Sequence, residues 1–188
     1  MHESLANTPD EELVREMAGG NVDALAELYR RHQGVVFRFA FQMCGDSTVA
    51  DDMVQDTFLA LTRAASRFQP TGAKFSTYLY GIVRNLTRQR LREDRRSARR
   101  AMARATEHVA PRELVIVEAD VRRHNIHRVR DAVVSLPSRY REVVVLCDLH
   151  GRDYANAAEI IGCPVGTVRS RLSRARRLLA EKLRYPHD

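Results

Sequence analysis

Hydrophobic residues recur three or four positions apart through most of the chain, which is the spacing of one face of an α-helix. No segment alternates for long between apolar and polar residues, and the one β-like run, 114–117, is short. The pattern predicts four helices in the first hundred residues: 9–18, 23–43, 48–61 and 75 to about 100. Capping-box patterns mark the start of the first helix, at Thr8 with Glu11, and of the third, at Thr48 with Asp51. The chain is therefore predicted to be all-α.

The last third of the chain has the pattern of a helix-turn-helix. Helices are predicted near 126–136 and 138–149. Asp153 suits the N-cap of a short helix, Gly162 the turn, and Pro164 the first position of a second helix. The apolar side of that second helix carries Val165, Val168, Leu172, Ala175 and Leu179. The opposite, polar side carries Thr167, Ser170, Arg174 and Arg177, with Arg171 beside them. This combination is what a helix in the DNA major groove needs.

The segment between these two blocks has little regular periodicity. Residues 97–124 contain Pro111 and charges of both signs, which is typical of an interdomain linker that is partly helical. We therefore expect two small helical domains, at 8–96 and 125–184, joined by a linker at 97–124.

The net positive charge favours an anionic partner, and the clustering of basic residues indicates which segments bind it. The 188 residues carry a formal net charge of +7, and nucleic acid or a membrane surface is the usual partner of such a basic chain. Residues 84–104 hold nine Arg against two acidic residues, and 167–184 hold six Arg and one Lys against one Glu. Two basic segments therefore lie on an otherwise acidic body.

Several classes of protein are not favoured. The chain has no apolar stretch of membrane-spanning length and no secretory signal, and its three cysteines do not suggest a disulfide framework. The expected compartment is the cytoplasm. Cys147 and His150 lie three positions apart, but zinc sites prefer more complete sets of ligands. No phosphate-binding loop or nucleophile elbow is present. We expect no cofactor, no metal and no catalytic residue.

Two separated blocks of sequence resemble one family. Residues 52–58 (DMVQDTF) and 75–85 (FSTYLYGIVRN) resemble region 2 of bacterial RNA polymerase sigma factors. Residues 136–177, which include GCPVGTVRSRL at 162–172, resemble region 4. The order, spacing and length are similar to those of the extracytoplasmic-function (ECF) group of the sigma-70 family, which keeps only these two regions.

The resemblance implies a dissociable initiation subunit of RNA polymerase that is not itself an enzyme. Region 2 of the family binds the clamp coiled coil of the β′ subunit and recognises and melts the −10 element. Region 4 binds the −35 element as duplex DNA and contacts the β flap. The resemblance also implies response to stress and control by an anti-sigma factor, which is often anchored in the membrane.

The resemblance assigns these roles to particular residues. The residues it implies for contact with core polymerase are Asp52, Met53, Gln55 and Asp56. Those it implies for recognition and melting of the −10 element are Phe68, Lys74, Tyr78, Tyr80, Arg84, Asn85 and Arg88. Those it implies for binding of the −35 element are Thr167, Arg169, Ser170, Arg171 and Arg174. Melting needs aromatic rings for stacking and a positive track for one strand, and Tyr80 and Asn85 match positions near the pocket for a flipped base. Tyr78 departs from the tryptophan common in the family.

Alternatives remain open at this point. A free-standing helix-turn-helix regulator explains residues 153–177 but leaves the aromatic and then basic segment 75–100 unexplained. A sigma mimic that sequesters an anti-sigma factor is a second alternative, although the intact basic helix argues against it. A metal-dependent enzyme is a third, and rests on Cys147, His150 and Cys163 alone.

Overall fold

The computed structural model describes residues 2–65, 75–104 and 121–184, and every regular element within them is helical. The prediction of an all-α chain is therefore confirmed. A 3-10 helix at His2–Asn7 precedes a first bundle of four helices: α1 (Asp10–Ala18), α2 (Val22–Cys44), α3 (Ser47–Ala64) and α4 (Phe75–Arg104). The second bundle consists of α5 (Val121–Val134), α6 (Ser138–Val144), a π-helical turn (Val145–Leu149), α7 (Tyr154–Ile161) and α8 (Val165–Arg184). No helix among the described residues is long and apolar enough to cross a membrane.

The first bundle closes around large apolar side chains on the inner faces of all four helices. Fully buried examples are Leu13, Leu28, Phe39, Leu61, Phe75 and Leu79. Burying such a side chain contributes roughly 1.5–3 kcal/mol relative to leaving it in water. The start of α3 differs from the prediction. Asp46, not Thr48, is its N-cap and accepts a hydrogen bond from the backbone N of Val49 at 3.1 Å.

The capping box predicted at Thr8 and Glu11 is also wrong. Pro9 is the N-cap residue of α1, and no side-chain hydrogen bond caps this helix. Glu11 instead accepts a hydrogen bond at 3.2 Å from the backbone N of Phe75, the first residue of α4. A carboxylate at this position accepts from an N–H that has no partner within its own helix, and it interacts favourably with the helix dipole. Glu11 thereby helps to fix where α4 begins.

The second bundle contains the predicted helix-turn-helix. The side chain of Asp153 caps α7 by accepting from the backbone N of Asn156 at 2.7 Å. Gly162 ends α7 with a φ of 72°, a left-handed conformation in which glycine pays no steric cost. Val168, Leu172 and Ala175 bury one side of α8. The sequence pattern therefore located both helices and the turn.

The two bundles pack directly against each other. α4 lies against α7, and α2 lies against α5, α6 and the π-helical turn. At Gly45, which ends α2 with a φ of 80°, an added Cβ would lie 3.2 Å from a methyl group of Val134 on α5. α4 itself continues to Arg104, so the predicted linker at 97–124 begins as helix, and residues 105–120 lie outside the described residues.

Candidate nucleic-acid and polymerase interfaces

α6 and α8 together form an arginine-lined groove on the outer side of the helix-turn-helix. It has a volume of about 360 Å³ and is lined by Arg139, Tyr140, Thr167, Ser170, Arg171 and Arg174. Four of the five residues predicted to bind the −35 element therefore lie together. Arg169 is exposed outside the groove, 5.8 Å from the centre of the Tyr154 ring.

Arg139 and Tyr140 were not predicted from the sequence. Their helix was recognised, but its apolar spacing gave no sign that its first turn borders the polar side of α8. The guanidinium of Arg139 lies 4.8 Å from the centre of the Tyr140 ring. A hydrogen bond to Arg174, together with the charge of Arg139, lowers the pKa of Tyr140. The groove is thus strongly electropositive and presents donors suited to phosphates and base edges.

The outer side of α4 carries a second basic groove. It has a volume of about 440 Å³ and is lined by Asn85, Arg88, Gln89, Arg92, Glu93 and Arg96. Asn85 is exposed, and its side-chain oxygen accepts from Arg84 at 3.3 Å. Tyr78 is half-buried at the start of the helix. Phe68 and Lys74, also predicted to act in melting, lie outside the described residues.

Two residues predicted to contact the −10 element are buried beneath the second bundle. Tyr80 is 2% exposed, and its hydroxyl lies 2.6 Å from Nδ1 of His150. Arg84 is 7% exposed and forms an ion pair with Glu142 at 3.1 Å. In this arrangement of the bundles neither side chain is at the surface, and their roles in −10 recognition stay predictions. The sequence could not show this, because the covering residues are distant in the chain.

His150 occupies the centre of the contact around Tyr80. Its Nε2 lies 2.8 Å from the side-chain oxygen of Gln42, which can only accept a hydrogen bond, so Nε2 donates and Nδ1 accepts from Tyr80. Burial, assisted by the charges of Arg38 and Arg152, lowers the pKa of His150 to about 4. The imidazole is therefore neutral near pH 7, with both nitrogens paired.

The outer side of α3 is acidic. Asp52, Gln55 and Asp56 are all exposed, and positions three and four apart lie on one helix face. Leu59, one turn further, is 53% exposed and extends this face. Met53 is only 4% exposed and packs in the core of the first bundle, so its predicted contact with polymerase is not available at the surface.

No metal site supports the enzyme alternative among the described residues, because no three His, Cys, Asp or Glu side chains there lie close enough to share an ion. Cys147 is half-buried in the π-helical turn, and burial raises the pKa of its thiol. Such a thiol is unreactive compared with an exposed, electropositive one.

Comparisons with known proteins identify both bundles. Residues 28–97 match the family profile of sigma-70 region 2, and residues 126–179 match that of sigma-70 region 4. The ECF RNA polymerase sigma factor SigC of Mycobacterium tuberculosis is 33% identical over 180 residues, covering 91% of each chain. SigE of Mycolicibacterium smegmatis is 32% identical over 158 residues. That match covers 84% of this chain and 60% of SigE.

A solved structure gives the same result. The sigma factor RpoE of Bartonella quintana, solved in complex with the anti-sigma factor NepR, superposes with a TM-score of 0.63 and 28% identity. The superposition covers 82% of this chain and 93% of that one. The chain therefore belongs to the ECF group of RNA polymerase sigma factors in the sigma-70 family.

Proposed function

We propose that three surfaces of this sigma factor divide the work of bringing core RNA polymerase to specific promoters. The groove between α6 and α8 binds the −35 element, α4 binds the −10 element, and the outer side of α3 binds core polymerase. The main support for this proposal is the groove between α6 and α8. There a helix-turn-helix with a capped α7 and a packed α8 presents clustered arginines at its surface.

The −35 element is read as duplex DNA by the groove. Arg171 and Arg174 are placed to reach guanine edges, for which an arginine fork has two matching donors. Arg169 lies at the edge of the helix and is assigned to a phosphate. Arg139 joins the set from α6 as a further cation. Thr167 and Ser170 line the same groove as these arginines.

The −10 element is recognised and melted by α4. The exposed groove with Asn85 and Arg88 offers a positive track for one strand. Tyr80 and Arg84 contribute once the second bundle no longer covers them. An extruded base costs only a few kcal/mol, which stacking worth roughly 1–3 kcal/mol per base offsets.

The acidic outer side of α3 is assigned to the clamp coiled coil of the β′ subunit, and the second bundle to the β flap. Asp52, Gln55 and Asp56 supply exposed polar contacts, with Leu59 adding an apolar one. Residues 8–96 and 125–184 serve as the two functional domains, joined by 97–124. The factor performs no chemistry itself and works in the cytoplasm beside the polymerase.

Control by an anti-sigma factor is part of the proposal. The support is that RpoE of Bartonella quintana, which has the same fold at 28% identity, was solved in complex with the anti-sigma factor NepR. Such a partner would hold the factor inactive until a stress signal, and one anchored in the membrane would hold it at the inner face of that membrane.

The test asks whether the outer side of α3 is the surface that binds core polymerase. Reversing both exposed acids on α3, as Asp52→Arg with Asp56→Arg, is expected to abolish co-elution with core polymerase and all promoter-directed transcription. Each single reversal, Asp52→Arg or Asp56→Arg, is compared with reversal of Glu12, an exposed acid on α1, which is expected to leave both intact. Normal core binding by the double variant, confirmed folded by circular dichroism, would remove α3 from the polymerase interface.

A further inference from the structure

We propose that the N-terminal segment, made of the 3-10 helix and α1, positions the first turn of α4 for promoter melting, with Glu11 as its main positioning residue. The region 2 profile matches from residue 28 onwards, so both elements precede the part of the chain that the profile covers. The inference rests on the proposed role of α4 in melting the −10 element. It adds to that function a contact that holds the melting helix in place.

Glu11 caps α4 from another helix. Its carboxylate accepts a hydrogen bond at 3.2 Å from the backbone N of Phe75, which lies 64 residues further along the chain. The first N–H groups of a helix have no partner within it, and an anion beside them also interacts favourably with the helix dipole. The order of the first turn of α4 therefore depends on the position of α1.

The side chain of Phe75 is held by the same part of the molecule. It is 1% exposed, and its ring centre lies 5.1 Å from that of His32 on α2, in an edge-to-face arrangement. Nε2 of His32 lies 2.8 Å from a carboxylate oxygen of Asp10, the first residue of α1. Two adjacent acids of α1 thus act on one residue of α4, Glu11 directly and Asp10 through His32.

Arg31 on α2 fixes the position of these two acids. Its guanidinium donates at 2.8 Å to the other carboxylate oxygen of Asp10 and to the backbone carbonyl of Thr8. It also donates at 2.8 Å to the carbonyls of Leu5 and Ala6 in the 3-10 helix. Because these bonds tie the N-terminal segment to α2, α1 has a fixed position beside the start of α4.

The turn positioned in this way belongs to the proposed melting surface. Tyr78 lies three residues after Phe75, in the first turn of α4. If that turn frays, the ring of Tyr78 loses its fixed position relative to Asn85 further along the helix. A ring that must first be ordered stacks on an extruded base with lower affinity than one already in place. Loss of the Glu11 carboxylate therefore slows melting, while the outer side of α3 and the groove between α6 and α8 are unchanged.

The test compares Glu11→Ala with Glu12→Ala in the full chain, each combined with core polymerase. Both variants remove one acid from α1, but the side chain of Glu12 is exposed to solvent. Promoters selected by the wild-type holoenzyme are used as duplexes and as heteroduplexes whose −10 region is already unpaired. We expect Glu11→Ala to form open complexes about fivefold more slowly on duplexes, the factor that corresponds to the loss of one helix cap. On unpaired promoters it is expected to match wild type, and Glu12→Ala is expected to match wild type on both.

Two further measurements separate this positioning role from a general loss of folding. In nuclear magnetic resonance, the backbone N–H of Phe75 should exchange with deuterium about fivefold faster in Glu11→Ala than in wild type, whereas the amides of α8 should be unaffected. Glu11→Gln keeps a side-chain oxygen that can accept from this N–H, and it is expected to recover most of the wild-type rate of melting.

The outcomes distinguish this inference from the proposed function. A Glu11→Ala variant that melts duplex promoters as fast as wild type, or that is equally slow on unpaired promoters, would overturn the inference and leave the proposed function standing. A wild-type protein that binds core polymerase but never opens a promoter would refute the proposed function, and this inference with it.

Discussion

Reversing the charge of Arg174, as Arg174→Glu, is expected to disable −35 recognition while leaving the fold and core binding intact. Arg174 is exposed in the groove between α6 and α8, where it pairs with Tyr140. An arginine contact with guanine contributes about 1–3 kcal/mol of discrimination, so its loss weakens promoter binding by about 5- to 150-fold. Because the new carboxylate also repels DNA phosphates, we expect the loss of promoter binding to lie at the upper end of this range.

The assay uses promoters that the wild-type holoenzyme selects, with run-off transcription and core binding measured in parallel. If Arg174 contacts a phosphate instead of a base, the loss is uniform across promoters, and the slope of log affinity against log salt falls by about 0.9. An exposed substitution of this kind changes stability by no more than about 0.5 kcal/mol. Arg184→Glu, an equal charge change at the exposed end of α8, is the control. Core binding that falls as far as transcription would refute the assignment of this face to DNA.

Three further predictions concern melting, pH and packing. Asn85→Ala is expected to reduce open-complex formation, measured by permanganate footprinting, more than core binding; equal melting by the variant would remove Asn85 from the pocket. Because burial holds the pKa of His150 near 4, the contacts of His150 with Tyr80 and Gln42 between the two bundles are fully stable above about pH 6.5 and weaken as the pH falls towards 4; the radius of gyration should therefore grow between pH 7 and 5, and less so in His150→Ala. Leu172→Ala should lower the free energy of unfolding by about 2–5 kcal/mol in urea denaturation, whereas Leu59→Ala, at a side chain 53% exposed, should cost far less.

The helices were predictable because their signals are local. Asp153, Gly162 and the apolar side of α8 each act within a few residues of chain, and the structure has the helix-turn-helix where they placed it. The first helix start was misassigned because Glu11 serves a different helix, where Phe75 supplies the backbone N–H. A capping pattern gives a residue the chance to cap, but the tertiary structure decides which helix it caps.

The candidate sites were predictable only in part, for the same reason. The helical spacing of residues along α8 predicted which of them lie on its polar side. The contribution of Arg139 to the groove depends instead on how α6 packs beside α8. Met53 belongs to the matching motif, yet its position on α3 turns it into the core. The burial of Tyr80 and Arg84 depends on His150 and Glu142, which lie 70 and 58 residues away along the chain. No local pattern contains that information.

The most direct test of sigma function is run-off transcription by purified core polymerase on a genomic fragment library, with and without this protein. The account predicts new, discrete start sites preceded by two spaced sequence elements. No transcripts despite tight core binding would contradict it and indicate a sigma mimic. No transcripts and no core binding would indicate a free-standing helix-turn-helix regulator.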